Sequence, residues 1–226
     1  MTERIYKSFV FGDNDSAKLD ILYDPCPIHP WYDMDMVGQL DQWDENAGFV
    51  PPPRSDHSGR GNKDAVGFTC PEDVQTWLDD LQANGKWGVA FGIYCYSDCN
   101  STMKLLENVD WNDTNCDGVI TMDSDSFQKY VGDNPNDKTD ADRIQRAVRL
   151  LRDEFKVLEC YISGACFYGS LLRKCGHCDS WIPEDKIGGY YGCDDEIELA
   201  RDILWNFNLK PGERESFDAK FLEIAV

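Results

Sequence analysis

The chain has 226 residues, with 42 Asp and Glu against 22 Lys and Arg, a formal net charge of −20. Its 7 Trp, 10 Tyr and 11 Phe and its hydrophobic content of 42% exclude a disordered acidic tail and point to a folded body with an acidic surface. No stretch approaches the ~18 apolar residues of a membrane span, and Met1 to Lys7 lacks the apolar run of a secretory signal. A soluble, cytoplasmic protein is therefore expected, with no membrane partner and with its 10 cysteines reduced and mostly buried.

Arg4 to Phe11 and Leu19 to Tyr23 read as a strand pair joined by the turn Gly12-Asp13-Asn14-Asp15-Ser16, and Asp24-Pro25-Cys26-Pro27 ends the second strand. Residues 28–67, rich in Pro, Gly and Asp, read as a long irregular loop tied down by Trp31, Tyr32 and Trp43. The capping-box pattern Thr69-Cys70-Pro71-Glu72 predicts a helix to about Asn84, followed by Gly85 as its stop. Trp87 to Tyr96 reads as a central strand, Gly118 to Met122 as a shorter one, and Ser124 to Val131 as a helical turn or two.

Thr139 to Lys156 has the strongest helical pattern, with Ile144, Ala147, Val148, Leu151 and Phe155 on one face. Its five bases, Arg143, Arg146, Arg149, Arg152 and Lys156, face Asp140, Asp142, Asp153 and Glu154, so the acidity lies elsewhere in the chain. Val157 to Tyr168 reads as a strand broken near Gly164, and Trp181 and Tyr190-Tyr191 as the flanks of a hairpin around Pro183 to Gly189. A last helix is expected from Asp194, where acids favour the positive end of the helix dipole, burying Ile197, Ala200, Ile203, Leu204 and Phe207. These elements predict one α+β domain over 1–226, with a mainly antiparallel or mixed sheet flanked by about three helices, near 70–84, 139–156 and 194–207.

Two motifs carry metal chemistry. Asp113-Thr114-Asn115-Cys116-Asp117-Gly118-Val119-Ile120 matches the first part of a calcium loop, with Asp113, Asn115 and Asp117 as oxygen ligands. The twelfth position should be a bidentate acid and is Ser124, so a plain hairpin turn competes with this reading. Cys175-Gly176-His177-Cys178 is half of a zinc knuckle for which Cys193 is a further candidate ligand, against a reduced turn as the alternative. No nucleophile triad, phosphate loop or nucleotide fingerprint stands beside the three histidines, so no catalytic residue is assigned and no cofactor is expected beyond calcium or zinc at these motifs.

Several segments together resemble an uncharacterised family of bacteriophage and conjugative mobile-element proteins. They are Asp24-Pro25-Cys26-Pro27, Asp35-Met36-Val37-Gly38, Tyr94-Cys95-Tyr96 with Ser101-Thr102, the hairpin Asp110 to Met122, Tyr161-Ile162-Ser163-Gly164, Asp179-Ser180-Trp181 and Tyr190-Tyr191-Gly192. The chain departs from the pattern at Ala47 to Lys63 and at Ile182 to Gly189. The resemblance implies an origin on a mobile element, no enzyme activity, and a plain hairpin at the calcium-like segment.

The function expected is that of an acidic, non-enzymatic binding protein of a phage or mobile element. It would inhibit a host defence or nucleic-acid-processing complex by nucleic-acid mimicry, and would not bind nucleic acid itself. Its partner would be a basic, nucleic-acid-binding host protein, met through one of three acidic clusters: Asp33 with Asp35, Asp123 with Asp125, or Asp194 with Asp195 and Glu196. A metal-binding interaction module and a small acid–base hydrolase are the alternatives.

Overall fold

The computed structural model describes residues 3–33, 36–42, 71–95, 101–106, 118–132 and 139–221. Among them are six helices and eight strands, and every strand pairing is antiparallel. The chain is α+β, the class its sequence predicts, with its strands divided between two four-stranded sheets rather than gathered in one. Its contacts group into two compact units, Met1–Ile28 with Gly164–Val226, and His29–Ser163.

In the first unit, β1 (Ile5–Phe11) and β2 (Ala17–Tyr23) form the predicted hairpin. Its turn places Asn14 and Asp15 at φ 53° and 54°, which these two residue types tolerate better than most. Next come β7 (Cys166–Lys174), paired to β2, and β8 (Trp181–Tyr191) at the sheet edge, giving the order β1-β2-β7-β8. Two helices, α5 (Glu196–Trp205) and α6 (Glu213–Phe221), pack on this sheet, α5 on β2 and β7 and α6 on β1. The core joins Phe9, Phe11, Leu19, Ile21 and Leu171 to Ala200, Ile203 and Leu204 of α5 and Phe217 of α6. Gly169 allows the close approach of α5: a Cβ there would lie 2.3 Å from Ile203 Cγ2. Period-two alternation turns Asp20 away from Leu19 and Ile21, where Ser8 Oγ and Lys18 Nζ donate to it at 2.5 and 2.9 Å.

The sequence expectation for residues 181–191 is corrected here. They form one strand, and the hairpin turn is Cys175 to Ser180, closed by Cys175 N–H donating to the Ser180 carbonyl at 2.9 Å. Pro183 and the Gly188-Gly189 pair, read as turn signals, are absorbed by register shifts in β8, and an edge strand is where proline is tolerated.

The second unit holds α1 (Pro30–Asp33), β3 (Gln39–Gln42), α2 (Pro71–Ala83), β4 (Lys86–Cys95), β5 (Ser101–Leu105), β6 (Gly118–Asp123), α3 (Ser124–Tyr130) and α4 (Asp140–Ser163). Its sheet order is β3-β6-β4-β5. Val89, Phe91, Ile120 and Met122 pack with Ala147, Leu151, Phe155 and Leu158 of α4, while Ala90 and Val119 pack with Val74 of α2. Helices on both faces explain why β4 is an unbroken apolar run rather than an alternating one.

Helix α4 runs to Ser163, so the strand expected from Val157 is a correction. Leu158 and Ile162 continue the buried stripe of Ala147, Leu151 and Phe155, and this packing overrides the strand preference of Val157, Tyr161 and Ile162. Gly164, at φ 74°, supplies the stop, and the strand begins two residues later at Cys166. Part of the expected loop 28–67 is ordered as α1 and β3, while Trp43 lies outside the described residues. Trp31 ties this segment down as expected: it is buried and its Nε1 donates to the Gly38 carbonyl at 2.8 Å.

Candidate functional site

The acidic lead-in to α5 is built from the caps outward. Asp195 sits in extended backbone (φ −138°, ψ 123°), and its carboxylate accepts from the amides of Ile197 and Glu198 at 2.7 and 3.1 Å. Glu196 pairs with Lys7 of β1, while Asp194, Glu198 and Asp202 are exposed with no ion-pair partner among the described residues. Burial of Leu199, Ala200, Ile203 and Leu204 against the sheet fixes this outcome, because the 3.6-residue period then turns Glu198, Asp202 and Trp205 to water.

Beside this acidic face, α5 and α6 frame an open groove with Leu204 and Phe217 in its lining and Asp202, Arg214 and Asp218 among its polar groups. Trp205 is 71% exposed, and the Arg214 guanidinium lies 4.5 Å from its ring centroid. Arg201 pairs with Asp218 at 3.2 Å, which leaves the carboxylates of Glu198 and Asp202 against the Arg214 guanidinium as the remaining charges of the lining. An exposed Trp among acids is the residue type that anchors protein interfaces. The signal in the sequence is its position off the 200/203/204/207 stripe, which marks it as solvent-facing.

The other two acidic clusters lie in the second unit. Asp123 is the N-cap of α3, accepting from the Ser126 amide at 2.8 Å, and the Ser126 amide and hydroxyl hold its carboxyl below the usual carboxylate range. Asp125 is exposed in the first turn of that helix. Asp33 ends α1, its side chain outside the described residues, and Asp35 lies wholly outside them. Two of the candidate acids, Asp123 and Asp195, thus also hold helix termini.

Asp113, Asn115 and Asp117 of the calcium-like loop lie outside the described residues; the chain after them enters β6 at Gly118. Cys175 and Cys178 share the β7–β8 turn, whereas the Cys193 thiol accepts a hydrogen bond from the Tyr6 hydroxyl at 3.7 Å. That bond, with burial, pushes the Tyr6 phenol up to about 12, and burial also raises the Cys193 thiol. Among the described residues no three His, Cys, Asp or Glu side chains come together as a metal ion requires. None of the six cysteines whose side chains are described forms a disulfide, but only Cys166 is buried, so the expectation of mostly buried thiols does not hold for these six.

Two buried titratable groups serve the scaffold of the second unit. Glu154 of α4 accepts from the amides of Val37 and Gly38 at 2.5 and 2.9 Å; burial raises its carboxyl, and these two bonds oppose the rise. His29 accepts from the Trp31 amide at 3.3 Å through Nδ1 and packs edge-on against Tyr161, and burial lowers its imidazole. Gly38 is required at this contact, since a Cβ there would lie 2.5 Å from Glu154 Oε2.

No family model, curated protein or solved structure matches the chain.

Proposed function

We propose that this is a non-enzymatic binding protein that engages a basic, nucleic-acid-binding partner through its acidic surface. In this reading it belongs to a phage or mobile element and inhibits a host defence or nucleic-acid-processing complex by occupying a cleft that otherwise holds DNA or RNA. The observation that carries the proposal is the exposed face of α5, where Asp194, Glu198 and Asp202 lack ion-pair partners among the described residues and Trp205 stands 71% exposed beside them. Duplex DNA presents about one charge per ~1.7 Å of axis, and proteins that bind it rely on Lys and Arg. A body with a net charge of −20 attracts the same basic surfaces, and the tryptophan adds a contact that a phosphate backbone does not offer.

The test is capture from host lysate on the immobilised full-length chain at low and high salt, followed by competition of the captured protein with labelled DNA or RNA. The expected partner is basic, is released by salt and by nucleic acid, and loses affinity for the variant Asp194→Asn/Glu198→Gln/Asp202→Asn. A captured target that binds this chain and nucleic acid together, without competition, overturns the mimicry.

A further inference from the structure

The groove between α5 and α6 already holds one guanidinium. Arg214 of α6 lies over the Trp205 ring, 4.5 Å from its centroid, and its Nη2 donates to the Leu204 carbonyl at 3.4 Å. The last turn of α5 has no basic residue of its own, so a cation from another helix meets the negative end of its dipole. Trp205 is 71% exposed, which leaves the ring face turned away from Arg214 open to solvent.

Glu198, Asp202 and Trp205 share one stripe of α5, at i, i+4 and i+7. About 6 Å of helix axis separates the two carboxylates, and about 4.5 Å more leads to the indole. Glu198 and Asp202 have no ion-pair partner among the described residues, while Arg201 is taken by Asp218 at 3.2 Å. The groove lining as a whole carries three carboxylates against two guanidiniums, so one more cation balances it. The ring selects the shape of that cation. A planar, weakly hydrated guanidinium stacks on an indole and pairs a carboxylate through two N–H groups, whereas a lysine ammonium is a compact, strongly hydrated point charge.

We propose, on the reading of the α5 face as the partner-binding surface, that this groove is a receptor for one arginine side chain of the partner. The arginine stacks on the open face of Trp205, and its guanidinium pairs with Asp202 and Glu198. Arg214 shows the fit, since the same side chain from within the molecule already takes the opposite ring face. The site adds a specificity that net charge does not supply: a body at −20 attracts lysine and arginine alike, whereas an indole beside two carboxylates favours arginine.

Titration of the full-length ¹⁵N-labelled protein with two glycine-spaced peptides of equal length and charge, one with only arginine as its bases and one with only lysine, tests this. Trp205→Phe identifies the Trp205 indole N–H signal among those of the 7 tryptophans. The arginine peptide should shift that signal and bind about fivefold more tightly than the lysine peptide at the same salt concentration. Trp205→Ala and the double variant Glu198→Gln/Asp202→Asn should each bring the two dissociation constants within about twofold of one another, the rest of the spectrum reporting an intact fold. Trp205→Phe, which keeps an aromatic face, should retain part of the preference. Equal affinities on the parent chain overturn the proposal, as does a preference for arginine that survives Trp205→Ala, or an indole signal that stays fixed at peptide saturation. None of these results touches salt-sensitive capture of a basic partner, which does not depend on which base is recognised. Loss of that capture with the arginine preference intact would instead remove the partner reading and keep the site.

Discussion

Helices α4 and α5 are both amphipathic, and they treat charge in opposite ways. In α4, Asp140, Asp142, Asp153, Glu154 and Glu159 are matched by Arg143, Arg146, Arg149, Arg152 and Lys156, and one acid, Glu154, is turned inward to hold the backbone at Val37 and Gly38. In α5, Glu196, Glu198 and Asp202 follow Asp194 and Asp195 against Arg201 alone within the helix; Asp195 caps it and Glu196 pairs with Lys7, while Asp194, Glu198 and Asp202 point to water. A carboxylate fixed by buried amides is committed to the fold, whereas one on an exposed helix face adds little to stability and stays available for a partner.

The contrast breaks most visibly at Glu154. Glu154→Ala leaves the amides of Val37 and Gly38 without their acceptor, and a loss of about 3 kcal/mol is expected in chemical denaturation. A loss below about 0.5 kcal/mol would show that water replaces the carboxylate and that the inward acid is dispensable. On α5 the corresponding test separates cap from charge. Asp195→Ala should cost about 1 kcal/mol, and Asp195→Asn only a few tenths, because asparagine also caps. Equal losses would mean that charge at the helix terminus, rather than the cap bond, stabilises α5.

The pH dependence sharpens the comparison further. His29 has a folded value lowered by burial, so between that value and the ordinary ~6.5 the unfolded chain binds more protons. Its contribution is complete above ~6.5 and is lost as pH falls through that range. Glu154 has the opposite sign: its folded value is raised, so its contribution is present below the ordinary carboxylate value and lost as pH rises through the folded one. Denaturation midpoints between pH 5 and 7 should therefore fall less on acidification in His29→Gln than in the parent chain, and an unchanged slope would remove the buried imidazole from the account.

The smallest effect on stability is expected on the outer face of α5. Asp194→Asn, Glu198→Gln and Trp205→Ala should each move stability by less than about 0.5 kcal/mol. Trp205→Ala should nonetheless weaken capture of the partner by about tenfold or more, read as the dissociation constant. Wild-type affinity in that variant would take Trp205 out of the interface.

Much of this was legible in the residues, for stated reasons. The β1–β2 hairpin, α2, β4, β6 and α5 are visible because local turn chemistry, caps and periodicity agree with what they bury. The missed elements are those in which local signals point away from the fold. Val157 to Ile162 carries strand-forming residues on a helical stripe, Pro183 and Gly188-Gly189 sit at bulges of an edge strand, and α6 offers only Phe217 and Phe221 as large apolar residues. The candidate acids were legible as clusters, but their division into caps and free charge was not, because capping depends on backbone angles that no charge count contains.

The sequence alone determined the α+β class, the acidic character and the hairpin and helix starts, since these depend on composition and on residues within a few positions of one another. Tertiary structure decided the division into two sheets, the extension of α4 to Ser163, the inward turn of Glu154 and the exposure of Trp205. Each of these outcomes depends on which surfaces are buried against which. That choice is made between segments far apart in the chain, where periodicity gives the face of an element but not its neighbour.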